Sequence, residues 1–385
     1  MNLDDSPAEA VFRAELRSWL EANAPTTAPP ADLDAWRSAT VAWHAKLHAA
    51  GYTGLSWPVD VGGRGMGPVE EAILAQEAER AGVSTGLNYG FIARAMLLFA
   101  TPEQQARYLP GLLGGDELWC QGFSEPDAGS DLASLRTRAS ADPTIGPNGG
   151  YRVSGQKTWT SNAQWADLCL CLVRTGEADS RHRGISALII DMRAPGVTVV
   201  PIRTIRGDEE FCEVFFDDTP VPIENLVGEP GQGWNYALVT LTYERGPVDV
   251  GFVTKYQAMI DKLATRTREI GLGSDLTAQR QIARAAITVE VLRLHTLRSL
   301  SMRLERAPGP EGSVDKILMA RAEQELLHTA MDLVGSRALL DDRDQWFSDY
   351  LYSRASTIYG GTAQIQRNVL AERCLGLPTA PSARG

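Results

Sequence analysis

The chain has 385 residues, a length that predicts two or three domains rather than one compact core. Hydrophobic residues make up 44% and charged residues 22%, which are ordinary globular values and exclude disorder on the scale of a domain. The formal net charge of −11 argues against a nucleic-acid binder, because such proteins present a cationic surface to phosphates.

The same composition bears on location and on metal binding. The longest apolar stretches, such as residues 95–100, are far shorter than a membrane-spanning helix. The acidic start lacks the basic and then apolar layout of a signal peptide, so we expect no membrane insertion and a cytoplasmic location. Five cysteines without a CxxC pair predict buried thiols, and five histidines without close ligand spacing predict no metal site.

Residues 1–117 show helical periodicity and predict an all-α N-terminal domain. Phe12, Leu16 and Leu20 recur at helical spacing, and residues 32–50 predict another amphipathic helix. Residues 57–67 are rich in glycine and predict a loop. The glycines at 62–67 resemble a phosphate-binding loop, but no βαβ pattern surrounds them, so we interpret them as a connecting turn.

Residues 118–229 change in character and predict a compact antiparallel β domain, of barrel or sandwich type. Short runs rich in Val, Ile, Leu and Phe are separated by Gly, Pro, Asp and Asn. These runs predict strands at 151–153, 168–174, 185–191, 197–202 and 211–217, in addition to one that begins near residue 119.

Residues 230–378 return to helical periodicity and predict a C-terminal four-helix bundle, followed by a short tail at 379–385. Breaks are expected near 271–275, 307–312 and 360–361, where glycine and proline interrupt the pattern. The expected fold class is therefore α+β and multidomain, in the order helical, β, helical.

Three segments have compositions suited to ligand binding. The first, residues 119–132, places a strand before a tight turn of small residues, where backbone N–H groups can approach a ligand closely. The second, residues 155–162, sets Trp159 beside two hydroxyl groups. The third, residues 359–367, is a glycine break before a helix N-terminus, which favours anions.

Together, in this order and spacing, the three segments resemble the acyl-CoA dehydrogenase family. The resemblance covers nearly the whole chain and includes the end of the β domain at 213–228 and the glycines at 231 and 233. It implies an FAD-dependent enzyme that oxidises the Cα–Cβ bond of an acyl-CoA thioester to the trans-2-enoyl-CoA. An electron-transfer flavoprotein is then the expected electron acceptor.

The resemblance also implies roles for individual residues. Residues of the first segment would contact the flavin, and Ser130 would in addition touch the CoA chain. Trp159 and Ser161 would cover the isoalloxazine ring, and the third segment would bind the FAD phosphates and ribose. The implied cofactor-binding residues are Gln121, Phe123, Ser124, Gly129, Ser130, Trp159, Ser161, Gly361, Thr362 and Gln364.

The catalytic base is not at the position that many family members use. They carry a glutamate directly after the tyrosine of the third segment, where this chain has Gly360. Other branches, the isovaleryl-type, long-chain and sterol-degrading members, place it on an earlier helix before an arginine, which matches Glu244 and Arg245. Ala237, Leu241, Glu244 and Val248 fall on one helical stripe, so burial would raise the pKa of this carboxyl toward neutrality. The stripe alone leaves open a structural pairing of Glu244 with Arg245 or another cation.

The resemblance then implies a mechanism. Glu244 removes the α-proton, Arg245 orients it, and the backbone N–H of Gly360 helps to stabilise the developing enolate. Substrate contacts are expected from Ser130, Tyr243, Gly246 and Phe252. An acyl group attached to a carrier protein stays open as the substrate, as does an oxidase or monooxygenase reaction on the same fold.

Two departures from the family pattern concern the adenosine half of the cofactor. The segment at 266–273 lacks the expected phenylalanine, and the glycine loop near 333–336 lacks its glutamine. Both segments normally hold FAD across a subunit interface. The chain is therefore expected to form either a homo-oligomer or an α2β2 assembly in which a related chain completes each site. A scaffold subunit without activity is the non-enzymatic alternative.

Overall fold

The computed structural model describes residues 5–26, 32–87, 89–243, 249–307, 309–340 and 345–378. By its internal contacts the chain forms two compact units, both built from separate stretches of sequence. Unit 1 comprises residues 1–27, 66–85 and 245–385, and unit 2 comprises residues 28–65 and 86–244.

The helices follow the predicted zones. In chain order they are α1 (Pro7–Asn23), α2 (Leu33–Ala49), α3 (Pro68–Arg80), α4 (Gly90–Phe99), α5 (Pro102–Gly114), α6 (Gly233–Tyr243), α7 (Asp249–Glu269), α8 (Leu276–Glu305), α9 (Gly312–Val334), α10 (Arg337–Leu340), α11 (Trp346–Ser353) and α12 (Ala363–Val369). Polar caps set several of these starts, as the Asp32 side chain accepts from Ala35 N–H and the Asp275 side chain from Ala278 N–H. The three predicted C-terminal breaks separate α7 from α8, α8 from α9 and α11 from α12.

The strands all lie between residues 119 and 227. They are β1 (Trp119–Gly122), β2 (Arg138–Asp142), β3 (Gly150–Ser161), β4 (Leu168–Arg174), β5 (Ile185–Asp191), β6 (Val197–Ile202), β7 (Phe211–Pro222) and β8 (Leu226–Val227). The bounds of β4, β5 and β6 agree with those predicted. Strands β3 and β7 are longer than predicted, and the strand at β2 was not predicted.

The strands form one sheet within unit 2, in the order β6-β7-β3-β2-β4-β5-β8, with β1 added beside β4. Most neighbours are antiparallel, but β1 runs parallel to β4, and β2 makes a single parallel pairing with β4. The fold class predicted from the sequence, with helical segments before and after a strand-rich middle of the chain, is confirmed.

Two hydrophobic clusters lie among the described residues of unit 2. In one, side chains of β4 and β5 pack with Ile92 and Met96 of α4 and with Tyr236 and Ala237 of α6. The other contains alternate residues of β4 and β5, including Cys169 and Cys171. Four of the five cysteines are buried as predicted, but Cys374 is exposed, so the prediction was wrong for that thiol.

Unit 1 is helical, and its largest cluster joins α7, α8 and α9. Leu263, Val289 and Leu326 are buried in this cluster, and Trp346 of α11 packs into it. No helix among the described residues is both long and apolar enough to cross a membrane.

Candidate functional site

The first predicted segment follows β1 in unit 2. Gln121 is half-buried in the strand, and Phe123 and Ser124 follow it, with Phe123 buried. Glu125 and Ala128 then exchange two backbone hydrogen bonds of 3.0 and 3.1 Å, which close a tight turn. Gly129 and Ser130 are exposed beyond that turn.

A buried ion pair joins this segment to β3. Lys157 has no exposed surface, and its Nζ donates to Glu125 Oε1 at 2.8 Å and to the carbonyl of Phe123 at 3.2 Å. The Thr158 N–H donates to the carbonyl of Ser124 at 2.9 Å. Lys157 and Glu125 were not among the predicted site residues, because charged side chains are rarely buried in full.

Trp159 projects from an irregular stretch of β3. The pairing of β3 with β7 shifts register between Lys157 and Thr160, and Trp159 has a φ of 57°, in the left-handed region. Its ring is 60% exposed and meets Phe211 edge to face at 6.0 Å between centroids. Ser161, the other predicted residue of this segment, is exposed at the end of β3.

Helix α6 ends at Tyr243, the residue before the predicted base. Arg94 of α4 lies over the Tyr243 ring, with the guanidinium carbon 5.6 Å from its centroid, and donates to the carbonyl and hydroxyl of Ser56. Ala237 of the predicted stripe is fully buried in α6, and Leu241 is half-buried.

Three predicted site residues, Glu244, Arg245 and Gly246, lie outside the described residues, as does Val248 of the stripe. The placement of the base therefore stays a prediction from the sequence.

The third segment belongs to unit 1. Gly360 and Gly361 have φ values of 60° and 87°, which favour glycine, and their carbonyls accept from the Gln366 amide. Thr362 caps α12, since its hydroxyl accepts from the Ile365 N–H at 3.2 Å. Gln364 is exposed in the first turn of that helix.

Charged groups of α9 lie close to this segment. The Lys316 ammonium is 3.9 Å from the centroid of the Tyr359 ring, within cation–π distance. Glu323 is buried, and burial raises the pKa of its carboxyl despite hydrogen bonds and lysine charges nearby. Its Oε2 atom has no hydrogen-bond partner among the described residues. Neither residue was predicted from the sequence.

Phe252, predicted to contact substrate, lies in the first turns of α7 in unit 1. Its side chain is 39% exposed, and its ring centroid is 6.4 Å from that of the buried Tyr256. Phe252 is thus accessible to a ligand, and its contact with substrate stays a prediction.

The structure thus brings the predicted residues together in two groups. In unit 2, Phe123 and Ser124 are hydrogen-bonded to the part of β3 that presents Trp159, and Gln121 precedes them in β1, where it pairs with β4. In unit 1, Gly360, Gly361, Thr362 and Gln364 form the turn before α12 and its first residues. Within the described parts of the chain, no cluster of three or more His, Cys, Asp or Glu side chains could hold a metal ion.

Comparisons with known proteins give a consistent result over the whole chain. The acyl-CoA dehydrogenase N-terminal domain model matches residues 6–116, the middle domain model 120–219 and the C-terminal domain model 231–375. A similar curated protein, the acyl-CoA dehydrogenase IpdE1 of Mycolicibacterium smegmatis, is 37% identical over 95% of this chain and 97% of its own.

Solved structures agree with these matches. One chain of the ChsE4–ChsE5 complex from Mycobacterium tuberculosis is 29% identical, with a TM-score of 0.84 over 99% of this chain and 100% of its own. A chain of the Tcur3481–Tcur3483 steroid ACAD is 25% identical, with a TM-score of 0.84 over the same shares. The resemblance stated from the sequence motifs is confirmed.

Proposed function

Because this chain belongs to the acyl-CoA dehydrogenase family, we propose that it uses FAD to oxidise the Cα–Cβ bond of an acyl-CoA thioester to the trans-2-enoyl-CoA. The family is one of oxidoreductases. The observation that carries the proposal is Trp159, a large ring held outward at a strained backbone position beside the polar turn after β1. Strained residues that persist in a fold are concentrated at functional sites.

The described residues fit the flavin ring. An exposed aromatic face, next to backbone groups and hydroxyls, suits a flat ring system with donors and acceptors along its edge. Phe123, Ser124, Trp159 and Ser161 would contact the ring, with Gln121, Gly129 and Ser130 along its edge and phosphates. Gly361, Thr362 and Gln364 would bind phosphate and ribose at the start of α12. When bound, FAD would supply the hydride acceptor that amino-acid side chains cannot provide.

Glu244 is the proposed base. Its position directly after α6 continues the stripe of Ala237 and Leu241, the first of which is fully buried. A carboxylate that continues this stripe in the sequence would lose part of its hydration, which would raise its basicity and suit removal of an α-proton. Arg245 would orient the carboxylate by charge.

The thioester is proposed to lie with its carbonyl oxygen near the Gly360 N–H. Glycine is favoured there by the backbone, since φ is 60° and the Gly360 carbonyl is held by Gln366. A backbone donor held in this way stabilises an enolate oxygen as it forms. Ser130, Tyr243, Gly246 and Phe252 are the proposed substrate contacts, and the Arg94 guanidinium over the Tyr243 ring would fix that ring.

We also propose that the chain forms an oligomer. An electron-transfer flavoprotein is the proposed acceptor of the electrons. Ile287, Val291 and Leu294 of α8 are 64%, 47% and 40% exposed at i, i+4 and i+7, an apolar stripe suited to a second subunit. The departures at 266–273 and 333–336 favour a related chain as that subunit. The ChsE4–ChsE5 structure, a complex of two chains, is a precedent among similar proteins.

The test is a comparison of Glu244→Gln with wild type in anaerobic stopped-flow reduction by acyl-CoA thioesters. We expect flavin reduction to slow by about 10²–10⁴-fold while FAD content is unchanged, because only the base is lost. Glu229→Gln, an exposed carboxylate four residues before α6, is the control and should react at the wild-type rate. Flavin reduction at the wild-type rate in the Glu244→Gln variant would contradict the assignment of the base.

A further inference from the structure

We propose that Lys157 and Glu125 are a positioning pair, which sets the geometry of the Phe123–Ser124 backbone and of Trp159 for contact with the flavin ring. The inference rests on the proposed function, since it assigns residues that hold the ring-binding groups in place. Neither side chain is proposed to touch the reacting atoms.

The first step is that one ammonium group joins two separate stretches of chain. Lys157 Nζ binds both the carbonyl of Phe123 and the carboxylate of Glu125, so it fixes the direction of the backbone on both sides of Ser124. The Thr158 N–H, one residue further along β3, holds the Ser124 carbonyl. Ser124 is thus restrained by bonds at its own position and at both neighbours.

The second step is that Glu125 is satisfied on both oxygens. Oε1 accepts from Lys157 and from the Thr137 N–H at 2.9 Å, and Oε2 accepts from the Arg136 N–H at 2.6 Å. Burial alone would raise the pKa of Glu125, but the charge and hydrogen bond of Lys157 outweigh it and the pKa is lowered. The Glu125 carboxyl is therefore ionised at neutral pH, and hydrogen bonds to both of its oxygens compensate its charge.

The third step concerns the direction of Trp159. In a regular strand, residues two apart point to the same face, so Lys157 and Trp159 should be equally buried. Instead Lys157 is 0% and Trp159 60% exposed, because the register shift and the left-handed Trp159 backbone lie between them. Lys157 is anchored in the interior directly before this irregularity. It therefore fixes the position of the strand from which the Trp159 indole projects.

Stability alone is a weak explanation for such a pair. Apolar residues of similar volume often replace a buried ion pair without loss of stability, so its energetic value is small. What an apolar pair cannot do is bind the Phe123 carbonyl and two backbone N–H groups at fixed angles.

The experiment compares Glu125→Gln/Lys157→Met with wild type. The double variant leaves no uncompensated buried charge, so it is expected to unfold at a temperature close to that of wild type. The control is Asp142→Asn, which breaks the Arg152–Asp142 ion pair of 2.9 Å at the other end of β3.

Two readouts are needed. Without added flavin, hydrogen exchange of peptides covering 121–130 and 155–162 reports the geometry of the segment, with β5 as internal reference. With FAD, titration gives the dissociation constant and the visible absorbance of the bound flavin.

We expect faster exchange in those two peptides of the double variant and FAD affinity weaker by about tenfold or more, the usual size for loss of contacts that support a bound group. The control variant should match wild type in both readouts. A double variant that folds with wild-type exchange, FAD affinity and absorbance would overturn the inference. If wild type binds no FAD, either alone or together with a related partner chain, the proposed function fails, while the exchange measurement still decides whether the pair sets the geometry of the segment.

If the double variant does not fold, Lys157→Arg replaces it, because arginine keeps the charge but not the point geometry of the ammonium. A shifted flavin absorbance or weaker FAD binding is expected. Wild-type values for both in the folded arginine variant would overturn the inference.

Discussion

The two groups of candidate site residues differ in whether the buried carboxyl group near them has hydrogen bonds to both of its oxygens. Next to Phe123 and Trp159, Lys157 and Glu125 form a closed pair in which both carboxylate oxygens are hydrogen-bonded. In unit 1, the Lys316 ammonium lies over the Tyr359 ring, and the buried Glu323, also on α9, has one oxygen without a partner among the described residues.

This difference separates two uses of a buried carboxyl group. An ionised carboxylate with hydrogen bonds to both oxygens, such as Glu125, holds the groups around it in place. Because folding lowers its pKa, it resists protonation as the pH falls. A buried carboxyl with a raised pKa, such as Glu323, costs free energy when it ionises and makes its surroundings sensitive to pH. The ring-binding group is thus expected to be the more rigid and the less pH-dependent of the two.

The largest expected effect comes from removing one partner of the Lys157–Glu125 ion pair. Lys157→Met leaves Glu125 buried without its cation, and the free energy of unfolding should fall by about 3–5 kcal/mol. Lys316→Met removes a contact with an aromatic face, worth about 0.5–2 kcal/mol, and one of the lysine charges near Glu323, whose carboxyl can respond by binding a proton because its pKa is already raised. Urea denaturation of both variants measures the two losses. Equal losses would contradict the distinction between the two groups.

A smaller effect is expected at the start of α12. Thr362→Ala removes the hydroxyl that accepts from the Ile365 N–H, and capping losses are about 1 kcal/mol. Thr362→Ser keeps the hydroxyl and should recover most of that loss in thermal unfolding. If Ser and Ala variants unfold at the same temperature, the cap does not support this segment.

The smallest effect should have the opposite sign. Folding raises the pKa of Glu323, so the folded state binds more protons than the unfolded state between the ordinary glutamate pKa and the raised value. Stability therefore falls as pH rises through that window, and Glu323→Gln removes the loss. We expect the variant to gain no more than about 1 kcal/mol at pH 8 and nothing at pH 4. Asp332→Asn on the exposed part of α9 is the control. A loss of stability at pH 8 would contradict the assignment.

The sequence predicted the apolar strands better than the polar ones. Strands β4 and β5 are continuous apolar runs with turn residues at each end, so their bounds followed from composition. Strand β2 has one buried residue in five, and its only apolar residues are two alanines, so its alternation is too weak to indicate a strand. The middle of β3 is polar and carries a register shift, which hid most of its length.

For the site, motifs predicted which residues would meet but not what holds them. Trp159 and Phe123 were predicted as site residues because their neighbours match a known pattern. Lys157 and Glu125 were missed because burial of a charge depends on a partner 32 positions away, which spacing along the chain does not show. Arg94 was missed for the same reason, since its Tyr243 contact joins α4 to α6.

The central claim is best tested by anaerobic titration of the purified chain, expressed alone, with a panel of acyl-CoA thioesters. The account predicts an FAD spectrum whose visible absorbance bleaches with at least one thioester. If a related partner chain completes the FAD site, the two chains expressed together should show the same loss of visible absorbance. A flavin-loaded protein, alone or with its partner, that no acyl thioester reduces would contradict the proposed dehydrogenation.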